Sequence, residues 1–205
     1  MRMILIAALL CTTAAFGGTD GQAPAVASAA ATAPVKDTSF VDASGHRVQQ
    51  LEAVIEAPVA KVWEAFITDA GFSSWAAPMA HVTLGNDGMI EASYSLTAKV
   101  GDPDNIRNRI VAYVPEHLLV LANEHAPKGA PFDAEAFSKI RTVIEFQDLG
   151  AGRTKVIESG VGYGDGPAFD SVYKHFHWGN AYEFQLLGDR FTKGPVDWKK
   201  EMAAK

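Results

Sequence analysis

A carboxylate and an amide lie in the middle of an apolar helix face near the C-terminus. At about 100° per residue, one face of this segment carries Phe169, Val172, Phe176, Gly179, Glu183, Leu187 and Arg190. Glu183 is central and Asn180 flanks it, and a buried carboxylate needs a partner or a raised pKa. Glu183 is therefore either a ligand anchor or general acid/base, or it pairs with Arg107, Arg109 or Arg190, or the stripe reaches solvent there.

Aromatic side chains provide candidate walls for a cavity beside this helix. With the two polar residues above, they give a predicted ligand-binding set of Trp75, Tyr94, Phe132, Tyr163, Phe176, Asn180 and Glu183. The alternative for the aromatic members is ordinary core and edge packing. The segment 125–137 is long, is marked by Pro and Gly, and ends at the further aromatic Phe137, which is typical of a lid. Because Gly179 costs about 1 kcal/mol in a helix interior, we expect a close backbone approach or empty cavity volume there.

The patterns that could indicate a metal, a nucleophile or a phosphate site lack the required spacing. His175 and His177 point about 200° apart on a helix and cannot chelate one ion. The chain has no G-x-S-x-G and no G-x-x-x-x-G-K-[ST] motif. The glycine-rich segment 160–166 is predicted to be a flexible strand-to-helix connection at the cavity rim. We therefore predict no catalytic motif, no metal and no cofactor.

The first 17 residues have the order of a secretory signal peptide. Arg2 precedes the wholly apolar run 3–11, and small residues follow it. The run is too short to cross a bilayer, so we predict a signal peptide at 1–17, export to the periplasm or secretion, and no membrane span in the mature chain. Cys11 is the only cysteine and falls inside this run, which leaves the mature chain with no disulfide and no thiolate.

The rest of the chain reads as a linker, one domain and a short tail. Residues 18–38 are rich in Ala, Pro, Thr and Ser without hydrophobic period, which predicts a flexible linker. Residues 39–198 have the length of one domain, and 199–205 form a tail. The formal net charge is −6, and no Lys/Arg cluster offsets it. An acidic domain repels phosphate backbones, so nucleic acid is not an expected partner.

Hydrophobic periodicity predicts a strand, two short helices, a run of strands and one long helix. The predicted strands are 46–56, 80–84, 90–99, 106–114, 118–123, 142–146 and 154–161. The predicted helices are 59–67, 69–75 and a long one over 165–194, with Pro167 near its start and Gly194 at its end. Short turns favour antiparallel pairing. The layout is α+β, with a curved sheet of about six to seven strands wrapped around the long C-terminal helix.

Four segments carry a resemblance to a known superfamily. The segment 55–66 resembles the opening of START-like (SRPBCC) domains, and Trp75 with the following Ala-Pro resembles their next segment. The segment 109–120 resembles their central hairpin, and 176–191 resembles their closing helix. The group that looks most similar is related to the C-terminal domain of heat-shock-protein ATPase activators, in a bacterial, exported version. The resemblance implies a helix-grip fold, but superfamily members include lipid carriers, polyketide cyclases and hormone receptors, so it specifies no single function.

Three functions are compatible with this fold. The first is binding of a small, largely apolar molecule in the cavity between the sheet and the long helix, in the cell envelope. The second is a cyclase- or hydrolase-type enzyme that uses Glu183 as acid/base in the same cavity, together with His125 or Tyr163. The third is partner binding by analogy with chaperone activators, which would require an exposed contiguous apolar patch.

Overall fold

A computed structural model describes residues 34–203, so the predicted signal peptide and most of the predicted linker lie outside the described residues. Within this range a nine-stranded antiparallel sheet packs against one long helix. The strands are β1 (Lys36–Asp37), β2 (Phe40–Val41), β3 (Arg47–Ile55), β4 (Met79–Thr83), β5 (Met89–Ser93), β6 (Ile106–Val114), β7 (Leu118–His125), β8 (Arg141–Gly150) and β9 (Arg153–Tyr163). Their order is β1-β3-β9-β8-β7-β6-β5-β4, and β2 also pairs with β3. The seven longer strands are the predicted sheet, and two short strands extend it beside β3.

Five helices accompany the sheet in the described part of the chain. They are α1 (Val59–Ile67), α2 (Asp69–Ser73), α3 (Ala134–Lys139), α4 (Pro167–Lys193) and α5 (Trp198–Ala203). Helix α4 has 27 residues, which at 1.5 Å per residue gives a length of roughly 40 Å. Pro167 fits its first turn because the missing N–H has no helical partner there, and Gly194, with φ +97°, ends it. The predicted α+β helix-grip layout is confirmed.

The main core lies where the middle of the sheet, α1 and the C-terminal half of α4 meet. Its largest buried side chains include Ile55, Phe66, Trp75, Phe184 and Leu187. The rings of Phe66 and Trp75 have centroids 4.8 Å apart, and the Trp75 indole N–H donates to the carbonyl oxygen of Ala65 at 2.9 Å. Full burial of such side chains contributes about 1.5–3 kcal/mol each. These contacts fix one half of α4 on the sheet.

Strand β5 covers only the first part of the predicted strand 90–99. Tyr94, which alternation places on the buried face, is 46% exposed. The cause is the buried side chain of Glu91, whose Oε1 accepts from the backbone N–H of Gly101 at 2.7 Å and from the amide of Asn105 at 2.6 Å. These long-range bonds fold the following residues into a loop, so the prediction of a ten-residue strand is wrong.

The glycine-rich segment 160–166 is not simply a flexible connection, because β9 continues through its first half. Gly162 adopts φ +95°, and a Cβ added there would lie 2.6 Å from the carbonyl oxygen of Lys139. A side chain at this position would therefore suffer both backbone strain and a collision. The glycine lets the end of β9 pass closely against the end of α3.

The chain end packs against α2. The indole N–H of Trp198 donates to the carbonyl oxygen of Ser73 at 2.6 Å, and the N–H of Val196 donates to that of Ser74 at 3.0 Å. Strand β1 and most of helix α5 lie outside residues 39–198. No helix within residues 34–203 is both long and apolar enough to cross a membrane.

Candidate functional site

The sheet positions that face α4 change from apolar to polar along the strands. The strand register places both Gln49 and Thr142 beside Gly160, and it places Asn108 opposite Asn123. Polar side chains from four strands therefore gather beyond the main core. This is the end of the sheet that lies under residues 176–183 of α4, where Phe176, Asn180 and Glu183 point toward it.

A partly enclosed cavity of about 130 Å³ lies between this end of the sheet and α4. Its wall is mostly apolar and includes Phe72, Trp75, Leu121, Phe137, Ile144 and Phe176. Polar groups reach it from α4, from β9 and from strands β6, β7 and β8. An apolar wall with a few convergent polar groups is the usual composition of a small-molecule site.

Two carboxyl groups enter the cavity, Glu158 from β9 and Glu183 from α4. The side-chain amide of Asn180 donates to Glu158 and also lies 3.4 Å from Oε1 of Gln49. Glu183 accepts a hydrogen bond from the phenol O–H of Tyr94 in the loop after β5. One set of polar contacts therefore joins the sheet, the long helix and this loop around the cavity.

The electrostatic environment keeps several of these groups protonated. Burial raises the pKa of Glu158 to about 8, and the negative charge of Glu183 adds to this shift. Glu158 is therefore mostly uncharged at neutral pH. Burial of the hydroxyl end of Tyr94, which contacts Glu183, and the negative charge of that carboxylate raise the pKa of this otherwise exposed tyrosine well above its usual range. Burial also raises the pKa of Tyr163, with a contribution from the charge of Glu158.

The lining has unused capacity to accept hydrogen bonds. Among the described residues, Oδ1 of Asn108 is a buried side-chain acceptor with no hydrogen-bond partner. The amide of Asn123, which lies opposite, already donates to the carbonyl oxygen of Phe137 at 3.2 Å. No lysine, arginine or histidine from residues 34–203 lines the cavity. The polar part of the lining is therefore acidic and rich in acceptors.

Six of the seven predicted ligand-binding residues line the cavity: Trp75, Tyr94, Tyr163, Phe176, Asn180 and Glu183. The seventh, Phe132, packs behind the wall, with its ring centroid 5.2 Å from that of Phe137 and 5.3 Å from that of Phe176. Phe137 belongs to α3 and is itself part of the wall. The predicted lid segment 125–137 therefore reaches the cavity through the start of α3 and through this aromatic cluster.

Three arginines are expected as possible partners of Glu183, and two of them contact other groups. Arg109 forms an ion pair with Glu124, and Nε of Arg190 donates to the hydroxyl of Ser74 at 2.8 Å. Glu183 lines the cavity and accepts a hydrogen bond from a tyrosine hydroxyl. Gly179, one turn before Glu183, faces open space where a Cβ would meet nothing within 4 Å. Of the two alternatives expected there, the structure therefore shows empty volume and not a close backbone approach.

The second titratable carboxyl beside Glu183 is Glu158, which the predicted set does not contain. His125 is one of the two residues predicted to act as acid/base together with Glu183. Its Nε2 lies 2.8 Å from the carbonyl oxygen of Pro103. Alternation along β9 carries the signal for Glu158, because a residue two positions from the fully buried Val156 lies on the same face. Asn108 has no comparable signal in the sequence, since β6 has a register shift near its pairing with β7.

The two helix histidines have separate surroundings. Nε2 of His177 lies 2.9 Å from a carboxylate oxygen of Asp37, whereas the ring of His175 packs 4.9 Å from that of Phe132. Within residues 34–203, no group of three or more His, Cys, Asp or Glu side chains is arranged to hold a metal ion.

Solved structures of other proteins share this architecture. The Aha1 dimer from Colwellia psychrerythraea aligns with a TM-score of 0.56 at 14% identity, over 72% of this chain and 97% of that one. XoxI from Bacillus cereus aligns with a TM-score of 0.54 at 14% identity, over 71% and 96%. The fold is START-like. CalU16 from Micromonospora echinospora aligns with a TM-score of 0.50 at 16% identity, over 83% and 91%.

The likeness concerns the fold alone. No family model matches the sequence, and no curated protein matches it. At these identities a shared START-like fold does not transfer an activity, because one fold supports many unrelated functions. The predicted resemblance is thus confirmed for the architecture, and the function has to be argued from the cavity.

Proposed function

We propose that this START-like domain binds a small, largely apolar molecule in the cavity between the sheet and α4. The observation that carries the proposal is a space of about 130 Å³ with aromatic and aliphatic walls. Protein interiors are normally close-packed, so a void of this size calls for an occupant. START-like proteins also commonly bind hydrophobic ligands. Binding would remove apolar surface of both partners from water at about 25 cal/mol per Å².

The size of the cavity limits the ligand. An engineered apolar cavity of about 150 Å³ holds benzene, so this cavity suits a molecule, or part of one, built around a single ring. A larger ligand would extend past Tyr94, whose side chain is 46% exposed while its hydroxyl reaches Glu183. Tyr94 thus lies at the mouth of the site.

We place this binding activity outside the cytoplasm, in the periplasm or secreted. The support is the signal-like order of residues 1–17, with Arg2 before an apolar run. Fractionation of cells that express the full-length chain tests the location. Recovery of an N-terminally intact chain in the cytoplasm alone would contradict it.

Titration of the purified chain with benzyl alcohol tests binding, with backbone amide NMR shifts as the signal. We expect saturable shifts at cavity-lining positions such as Ala92 and Gly160. Ala92→Leu fills part of the cavity and should abolish them. Ala112→Leu makes the same change at an exposed position of β6 and should preserve them. Absence of saturable shifts with benzyl alcohol and with other one-ring probes, or unaltered binding by Ala92→Leu, contradicts the proposal.

A further inference from the structure

The polar lining of the cavity combines hydroxyl and amide groups with two carboxyl groups and contains no cationic side chain from residues 34–203. Glu158 and Glu183 bring two carboxyl groups to one small space, and the buried Oδ1 of Asn108 has no hydrogen-bond partner among the described residues. The amide of Asn123 is already bonded to a backbone carbonyl. A purely apolar ligand would leave Asn108 unsatisfied, and burial of an unpaired acceptor is unfavourable. The occupant should therefore supply N–H or O–H donors.

We infer that the ligand is an apolar amine, whose protonated nitrogen binds between Glu158 and Glu183, while its ring or chain fills the aromatic part of the cavity. This inference rests on the proposed function, because it names the chemical class of the molecule bound there. An alkylammonium group offers up to three N–H donors. Its hydrogen bonds to carboxylates are stronger than those between neutral groups.

Other ligand classes fit the same lining less well. Two carboxyl groups and no lining lysine, arginine or histidine among residues 34–203 disfavour an anion such as a fatty acid. A metal ion usually takes more ligand groups than are arranged here. Aromatic rings such as Phe176, Trp75 and Tyr94 line the same space. Their faces attract an organic cation and bury its apolar body at the same time.

Binding of an ammonium group should also release a proton from Glu158. This carboxyl faces Glu183 on α4, with Tyr94 and Tyr163 nearby, and accepts from Asn180. At neutral pH Glu158 carries a proton. A cation placed beside it favours its charged form, so the proton leaves as the amine enters. The affinity for the amine should then increase with pH up to about 8.

The experiment compares three one-ring probes, benzylamine, benzyl alcohol and benzoate, by isothermal titration calorimetry of the full chain at neutral pH. We expect benzylamine to bind at least about tenfold more tightly than benzyl alcohol, and benzoate at least about tenfold more weakly. The benzylamine enthalpy should change with the ionisation enthalpy of the buffer, which reports the released proton. Glu158→Gln and Glu183→Gln should each remove most of the preference for the amine. Glu56→Gln, at an exposed position, should leave the preference intact.

The possible outcomes separate this inference from the proposed function. If benzyl alcohol binds and benzylamine has no advantage, the inference is wrong and the proposed function stands. If benzylamine binds tightly but neither cavity substitution weakens it, the amine binds elsewhere and the inference is also wrong. If none of the three probes binds, the proposed function itself is contradicted. A preference for the amine that both substitutions reduce supports the inference.

Discussion

At the scale of single residues, the carboxyl group of Glu158 couples the cavity to pH. Its pKa is about 8 in the folded protein, against an ordinary value of 4.5. Between these two values the folded state holds a proton that the unfolded chain has lost. Stability therefore falls as pH rises through this window, and the full penalty is present above it. Asp37, whose pKa is lowered to about 2 by Ser39 and His177, acts in the opposite direction and only at lower pH.

Replacement of Glu158 by glutamine should remove this pH dependence. The substitution leaves an uncharged side chain that can still accept from Asn180. We expect Glu158→Gln to gain stability over the unsubstituted chain as pH rises from about 5 to about 8, reaching on the order of 2 kcal/mol. Urea unfolding at several pH values measures the difference. Glu56→Gln provides a matched exposed control, and a Glu158→Gln advantage that does not vary with pH would contradict the assigned environment.

Gly162 should tolerate no side chain. Its φ of +95° is already unfavourable for alanine, and the added Cβ would lie 2.6 Å from the carbonyl oxygen of Lys139. We expect Gly162→Ala to lower the free energy of unfolding by about 2 kcal/mol or more. Gly45 has a similar φ of +85° with open space around it, so Gly45→Ala isolates the cost of the backbone conformation, about 1 kcal/mol. Equal losses in the two variants would show that the collision is relieved.

At the scale of elements, α4 has a weak point next to the cavity. A Cβ added at Gly179 meets nothing within 4 Å, and the residue lies in the middle of the helix. Because alanine favours a helix interior over glycine, Gly179→Ala should raise the free energy of unfolding by about 0.5–1 kcal/mol. Thermal unfolding checks the effect. A decrease in stability would mean that this face of α4 is packed more closely than the structure indicates.

The limits of α4 were predictable because local residues set them. Pro167 and Gly194 determine where the helix begins and ends, and the apolar stripe between them identifies the face that meets the sheet. The end of β5 was not predictable in this way. It depends on bonds from Glu91 to groups ten or more residues away, and alternation within a strand contains no information about such partners.

Some polar residues of the site can be predicted from the local sequence, and others depend on distant contacts. Glu183 interrupts an apolar stripe and is therefore visible in the sequence, whereas Glu158 lies in a strand where polar residues are common on either face. Its position becomes informative only once the buried face of β9 is known from Val156. The aromatic character of Tyr94 predicts a place in the ligand-binding set, but its contact with Glu183 arises from the loop that replaces the predicted strand.

At the scale of the whole molecule, one half of α4 is fixed by a packed core and the other half covers a cavity. Phe184 and Leu187 are almost fully buried against the sheet, whereas Phe176 and Asn180 face the open space. This division lets the domain keep a stable core while it leaves room for a ligand. The apolar residues Val111 and Val114 of β6 are 48% and 52% exposed and are not part of the cavity wall.

The central claim is that the space under α4 is a ligand site, and intermolecular NOEs to bound benzyl alcohol test it most directly. We predict NOEs between the ring protons of the ligand and the methyl groups of Ala92, Leu121 and Ile144, which come from three different strands and meet only in the cavity. NOEs confined to surface methyl groups such as those of Val111 and Val114, with none to the three cavity residues at saturating ligand, would contradict the claim.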